Sequence, residues 1–353
     1  MLAGESLHPR TCRDANRGPN LLQFLWVAPQ AKLRYLETPR HRSHVSGDLR
    51  MPARTAFVIF WIAFSALTTR GGDLPNSRDS LSQAIDEERR QAQQWLAGGV
   101  SSYLATVGRV DFGERTVLTV GRSPENDVIL SEPFVGERHL VVTVKGDSFE
   151  VSAVAPEGLF TVSGKPARFA VVGPSAIGLG RLRLRLSHQG FPAIIVFDPE
   201  SPRFKAVPRL RYYPVDPSYR FVLPLRAKAN PDTVVILSTR GNKRRALRVG
   251  WFDFKVKGAA QSLEVHRLLE PGVGDELVSV FFTDLTTGSE TYPVGRYVDP
   301  EPLGDGLFVL DFNRAYNPAC AFSDHYNCPI PPEANRLKVA VPAGEMDPHA
   351  AGN

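Results

Sequence analysis

The sequence predicts a mostly β protein in which one helix precedes two successive β regions, the second larger and antiparallel. Three observations carry this. From residue 99 onward the apolar residues fall in short, alternating, β-branched runs broken by Gly, Pro, Asn and Asp. Only the stretch just before residue 98 shows helical spacing. The 29 Gly and 29 Pro among 353 residues supply the turns that many short strands need.

Residues 1–50 lack periodicity and read as a disordered leader or as sequence placed before the true start. The segment 51–70 is one Arg, an apolar run from Ala56 to Leu67, then small and polar residues, the order of a secretory signal peptide. The run is shorter than the roughly 20 residues of a membrane span, so no stable anchor is expected once the signal is cleaved. A start at Met51 is favoured because it puts that signal first. Cys12 belongs to the leader.

The helix is expected over 79–98. Ser80-Leu-Ser-Gln83 is a capping-box pattern, Leu81, Ile85, Ala92, Trp95 and Leu96 follow at near-helical spacing, and Gly98-Gly99 ends the run. The first β region covers 99–190, with strands expected near Thr116–Val120, Asp127–Leu130, His139–Val144, Phe149–Val154, Leu159–Val162 and Leu182–Leu186. The second covers 191–346, with strands near Ala193–Phe197, Tyr219–Leu225, Thr233–Ser238, Ala246–Lys257, Ser262–Leu269, Leu277–Thr283, Glu290–Val298 and Leu307–Phe312. Residues 347–353 form a polar tail.

The formal charge of +5 does not mark a basic fold. Ten of the 42 basic and four of the 37 acidic residues lie in 1–70, so 71–353 carries 32 against 33. Nucleic acid, whose binding rests on neutralising phosphates, is not an expected partner. Lys243-Arg244-Arg245 with Arg248 reads as a solvated turn between strands.

Within the first region, Gly121-Arg122-Ser-Pro-Glu-Asn-Asp-Val-Ile-Leu130, Arg138-His139 and Ser163-Gly164-Lys165 resemble the forkhead-associated fold, a β-sandwich that reads phosphothreonine peptides. The resemblance implies phosphate contacts from Arg122 and from a Ser three residues before the His. That position here is Gly136, and the Asn before the later Gly is Ser163. A lone Arg offers one fork where converging donors are wanted, so the fold is expected without the phosphopeptide activity.

Three further blocks are distinctive: Phe281 to Tyr297, Asp311 to Cys320, and Cys328 to Asn335 with Ala343-Gly-Glu345. With Val120–Leu130, Ser163–Ala167 and Phe204–Arg220 they resemble the bacterial family catalogued as domain of unknown function 1684, over about residues 79–346. The resemblance implies an N-terminal β domain and a signature C-terminal half, and no activity. Val100-Ser-Ser-Tyr-Leu104 and His188-Gln189-Gly190 depart from its pattern.

Read by residue, 278–298 is expected as a hairpin around Thr286-Thr-Gly-Ser289. Strand alternation then offers Asp284, Glu290, Arg296, Asp311 and Asn313 to one polar pocket, beside Tyr292, Tyr316 and Asn317. Two readings stand. The pocket binds a small molecule or a cell-envelope component, with Arg296, Tyr292, Asn313, Tyr316 and Asn317 as its lining; or Glu290, Asp311 and Asp284 supply paired carboxylates to a hydrolase. The structural alternative pairs Arg296 with Asp311 or Glu290 and leaves the Asn side chains to tie down loops.

Cys320 and Cys328, flanking His325, suit a disulfide in an exported chain. Zinc on Cys320, His325 and Cys328 lacks an evident fourth ligand, a nucleophilic thiol paired with His325 needs reduced cysteines, and two free buried thiols are the remaining reading. No phosphate loop, His-Glu-x-x-His motif or Gly-x-Ser-x-Gly elbow occurs. No cofactor is expected, and the protein is expected outside the cytoplasm.

Overall fold

A computed structural model describes residues 78–154 and 158–350. The leader, with Cys12, and the signal-like segment 51–70 lie outside them. Among the described residues no helix is long and apolar enough to cross a membrane.

Among the described residues one α-helix and two β bodies follow in order. Helix α1 spans Arg78–Gly98, beginning two residues before Ser80. The first body holds β1 (Thr106–Asp111), β2 (Val117–Gly121), β3 (Val128–Ile129), β4 (Leu140–Lys145), β5 (Ser148–Ala153), β6 (Phe160–Val162), β7 (Lys165–Ala167), β8 (Phe169–Val172), β9 (Ser175–Leu179), β10 (Leu182–His188) and β11 (Pro192–Phe197). A five-stranded sheet, β3-β2-β4-β5-β8, faces a six-stranded one, β1-β11-β10-β9-β6-β7. Alternation builds the sandwich: Leu118 and Val120, Leu140 and Val142, Phe149 and Val151, and Leu182, Leu184 and Leu186 all enter one core.

The boundary expected at 190/191 does not separate the strands. Ala193–Phe197, assigned from sequence to the second region, is β11, paired with β1 on one side and β10 on the other. Its continuous apolar run has a physical reason, because this strand is covered on both faces. Ile194 and Val196 enter the sandwich core, whereas Ile195 and Phe197 join Ala105 and meet Ile236, Ala246, Phe281 and Tyr297 of the second body.

The second body comprises β12 (Arg220–Pro224), β13 (Arg226–Leu237), β14 (Lys243–Val256), β15 (Ala259–Leu268), β16 (Val280–Phe282), β17 (Arg296–Val298), β18 (Glu301–Gly304) and β19 (Leu307–Asp311). They form the sheets β13-β14-β15, β12-β19-β18 and β16-β17 around a core that includes Phe252, Phe254, Phe282, Leu310 and Phe312. Lys243–Arg245, expected as a solvated turn, instead opens β14. Arg244 is buried and donates to both oxygens of Glu270, at 2.7 and 2.9 Å.

The hairpin expected over 278–298 also needs correction. Only β16 and β17 pair, with Phe282 opposite Arg296, and 290–295 is not a strand. Pro293 has no N–H to give a ladder, and Gly295 sits at φ +108°, where a Cβ would meet the Phe282 carbonyl oxygen at 2.6 Å. Residues 283–285 bond instead to the C-terminal segment: the Thr283 and Leu285 amides donate to the carbonyls of Asn335 and Val339.

Helix α1 is fastened across the second body. Leu96 packs with Leu104, Ala321 and Phe322. The Gln93 side chain accepts from the Leu210 amide at 2.8 Å, and Arg314 holds Glu88 at 2.9 Å.

Candidate functional site

The C-terminal segment folds back over β17 because Arg296 reaches it. This guanidinium donates to the carbonyls of Val341 (2.9 Å), Ala343 and Glu345 (3.3 Å), and to Oδ2 of Asp284 (2.6 Å). Asp284 in turn accepts from the Thr286 amide at 2.6 Å and from the Thr286 hydroxyl. Both side chains of the pair are buried, and burial lowers the Arg296 pKa despite the facing carboxylate. Gly344 lets the segment turn: at φ +80°, an added Cβ would lie 2.6 Å from the carbonyl oxygens of Phe312 and Ala315. Gly344→Ala is therefore expected to cost about 2–4 kcal/mol in urea unfolding, the sum of left-handed strain and a backbone clash.

One residue beyond that turn, Glu345 is buried. Its carboxyl accepts from the Asn317 amide at 2.5 Å and from the Tyr212 hydroxyl at 3.3 Å. Burial pushes its pKa up to about 7, against the pull of Asn317, Tyr212, Arg296 and Arg89. Arg89, on α1, stacks its guanidinium 4.5 Å above the Tyr212 ring. Burial and the neighbouring Glu345 raise the Tyr212 phenol. The Asn317 side-chain amide donates to the Met346 carbonyl at 2.8 Å. Nε of Arg296, Oδ1 of Asn317 and Nε of Arg89 are buried and have no hydrogen-bond partner among the described residues.

The residues singled out from sequence therefore do not form one pocket. The structure pairs Arg296 with Asp284, and not with Asp311 or Glu290, and it brings Asn317 to Glu345. Asp311 belongs to a separate network: it accepts from the Asn313 amide and side chain and pairs with Arg314. Asn313 completes a two-way clasp with the Asp216 backbone, at 2.8 and 2.9 Å. Glu290 is exposed and accepts from the Tyr213 hydroxyl at 3.0 Å. Tyr316 donates to Asp299, whose enclosed carboxyl is pushed up to about 6. Tyr292 donates to the Cys320 carbonyl. Glu345, Tyr212, Arg89 and Asp299 were missed from sequence. Glu345 lies in the last distinctive block and Tyr212 in the Phe204–Arg220 stretch, but no periodicity marks their burial.

Cys320 and Cys328, expected as a disulfide, are both free thiols. The zinc alternative is not met either: among the described residues no group of three His, Cys, Asp or Glu side chains is placed to hold a metal ion. In the sandwich, Arg122 turns its guanidinium to Glu137 at 2.9 Å, and the Gly136 amide donates to Nδ1 of His139. Ser163 and Gly164, at φ +51° and +78°, make the turn between β6 and β7.

Residues 205–346 match the family described as Protein of unknown function (DUF1684). The match is narrower than the 79–346 suggested by the motifs, leaving α1 and the sandwich outside it. The matching segment holds Glu345, Tyr212, Arg296, Asn317, Cys320 and Cys328, while α1 contributes Arg89 from outside. No curated protein matches the chain. An uncharacterized protein of Haloarcula marismortui, solved by NMR, is 38% identical over 40% of this chain and 78% of its own, with a TM-score of 0.34. Mycobacterium tuberculosis EmbR in complex with a low-affinity phosphopeptide is 14% identical over 33% of each chain, at TM-score 0.19. Rad53 in complex with AMP-PNP is 10% identical over 56% of this chain and 47% of its own, at 0.15. At such TM-scores the fold is read from the chain itself.

Proposed function

We propose that this is an exported binding protein whose DUF1684 segment receives a small polar molecule, or a polar group of a cell-envelope component, at the cluster around Glu345. One observation carries the reading: buried polar atoms without a partner among the described residues, Nε of Arg296 and Oδ1 of Asn317, lie on side chains whose other groups donate to the carbonyls of Glu345 and Met346. A buried donor or acceptor left unmatched costs about 1–3 kcal/mol. Here one donor and one acceptor flank a carboxyl poised near neutrality, so a ligand with an acceptor and a donor of its own satisfies both. The hydrolase reading has less support, because Asp284, Asp311 and Glu290 are engaged by different partners and do not hydrogen-bond to one another. Phosphopeptide binding has less still, with Arg122 turned to Glu137. Export rests on the apolar run Ala56–Leu67 and its flanks.

Native mass spectrometry of the protein expressed from Met51 and recovered from the periplasm tests both parts. The expected result is a chain shortened near residue 66 that carries a noncovalent mass, released on denaturation and absent from Asn317→Leu. A cytoplasmic, full-length chain contradicts export. A periplasmic chain with no retained mass, and no thermal shift with any of a panel of amino acids, sugars and small carboxylates, contradicts the binding site.

A further inference from the structure

The two thiols that do not form a disulfide are nonetheless held together. The segment 328–330 is fixed at the end of β13: the Cys328 amide donates to Oγ1 of Thr239 at 3.0 Å, the Thr239 amide to the Cys328 carbonyl at 2.9 Å, and the Ile330 amide to the Leu237 carbonyl at 2.7 Å. Cys320 lies in the short turn 319–321, and its amide donates to Sγ of Cys328 at 3.3 Å. The surroundings of the two sulfurs differ. Cys320 is half-buried, whereas Cys328 is only 4% exposed among Ala105, Phe281, Tyr297 and Tyr326.

We propose that Cys320 and Cys328 form a thiol–disulfide exchange site, with Cys320 the attacking sulfur, Cys328 the resolving sulfur, and a low-molecular-weight disulfide the oxidising co-substrate. Accessibility assigns the roles, since Cys320 is the half-buried residue and Cys328 is nearly closed to solvent. The electrostatics agree. The neighbouring Cys328 lowers the Cys320 thiol despite its partial burial, while burial raises Cys328 well above the ordinary range. The Cys320 thiolate attacks one sulfur of the disulfide RSSR, forming Cys320–S–S–R as the RS–SR bond breaks, and the departing thiolate takes up the proton Cys320 gave. Cys328 then attacks the Cys320 sulfur, the bond to R breaks, and the second RSH leaves with the Cys328 proton. The protein has lost two protons and two electrons, and RSSR has gained both.

This site stands independently of the ligand cluster at Glu345. It would link the segment that carries Ala321 and Phe322 against Leu96 of α1 to the end of β13. The test uses the full chain in a Cys12→Ser background, reduced and then incubated with oxidised glutathione, with intact-mass and peptide analysis. The expected product is a chain lighter by two hydrogens, with a Cys320–Cys328 link and no glutathione. Cys328→Ser is expected to stop at one glutathione on Cys320, and Cys320→Ser to form neither product. Before oxidation, Cys320 is expected to react with iodoacetamide about tenfold faster than Cys328. Both thiols remaining free and alkylatable in excess oxidised glutathione, or equal alkylation rates in the folded chain, overturns the proposal even if neither variant folds.

Discussion

Asp284→Ala is expected to destabilise the protein by roughly 3–5 kcal/mol, because it strands the guanidinium of Arg296 where water cannot reach it. The pair is closed at both ends: Arg296 is 1% exposed and Asp284 7%, and the other bonds of the two terminal Arg296 nitrogens go to the carbonyls of Val341, Ala343 and Glu345, leaving only Nε unmatched among the described residues. The damage is expected to concentrate in the C-terminal segment, which limited proteolysis would cut first near 341–346. Replacing both partners together, Asp284→Leu with Arg296→Met, removes the uncompensated charge and is expected to recover a large part of the loss. Urea unfolding of the two variants separates the cases. A loss below about 1 kcal/mol for Asp284→Ala would show that the pair is hydrated and that the segment is held by other contacts.

Wild-type stability is expected to carry a component that falls as pH rises from about 4.5 to 7, and Glu345→Gln is expected to lack it. A carboxyl whose folded pKa is raised binds its proton more tightly in the folded state. Its stabilisation is thus fully present below the unfolded pKa and is lost as pH climbs through the folded value of about 7. At about 1.4 kcal/mol per pKa unit, ionising Glu345 in place costs about 3 kcal/mol by pH 8. Asp299, pushed up to about 6, adds a slope of the same sign that is complete at lower pH. His266 and His325, both lowered by burial, act in the opposite sense, since their contribution is lost as pH falls below about 6.5. The difference between wild type and Glu345→Gln, followed by urea unfolding from pH 5 to 8, isolates the one group. A difference that does not change with pH would place the Glu345 carboxyl in contact with water.

The β class, the helix and the strands of the sandwich core were legible because each rests on a local signal: alternation at Leu182, Leu184 and Leu186, or helical spacing ended by Gly98-Gly99. What failed depended on distant partners. Ala193–Phe197 reads as a strand, but only β1 and β10 decide which sheet it enters. Pairing 283–285 with 335–339 joins segments about 50 residues apart, and period-two alternation does not reveal it. Asn335 shows why a distinctive block need not be catalytic. Its buried side chain accepts from the Glu264 amide at 2.6 Å and donates to the carbonyls of Glu264 and Phe281, linking β15 to β16. The site was half legible: Arg296 and Asn317 stood out, whereas Glu345 became important only when the Gly344 turn buried it beside them.

The most direct test of the binding reading is an experimental structure at high resolution of the protein purified at neutral pH without small-molecule additives. The account predicts non-protein density bridging Nε of Arg296 and Oδ1 of Asn317, adjoining the Glu345 carboxyl and larger than an ordered water. Both atoms bonded to neighbouring protein groups, or to a lone water, would contradict it and leave the cluster as a clamp on the C-terminal segment.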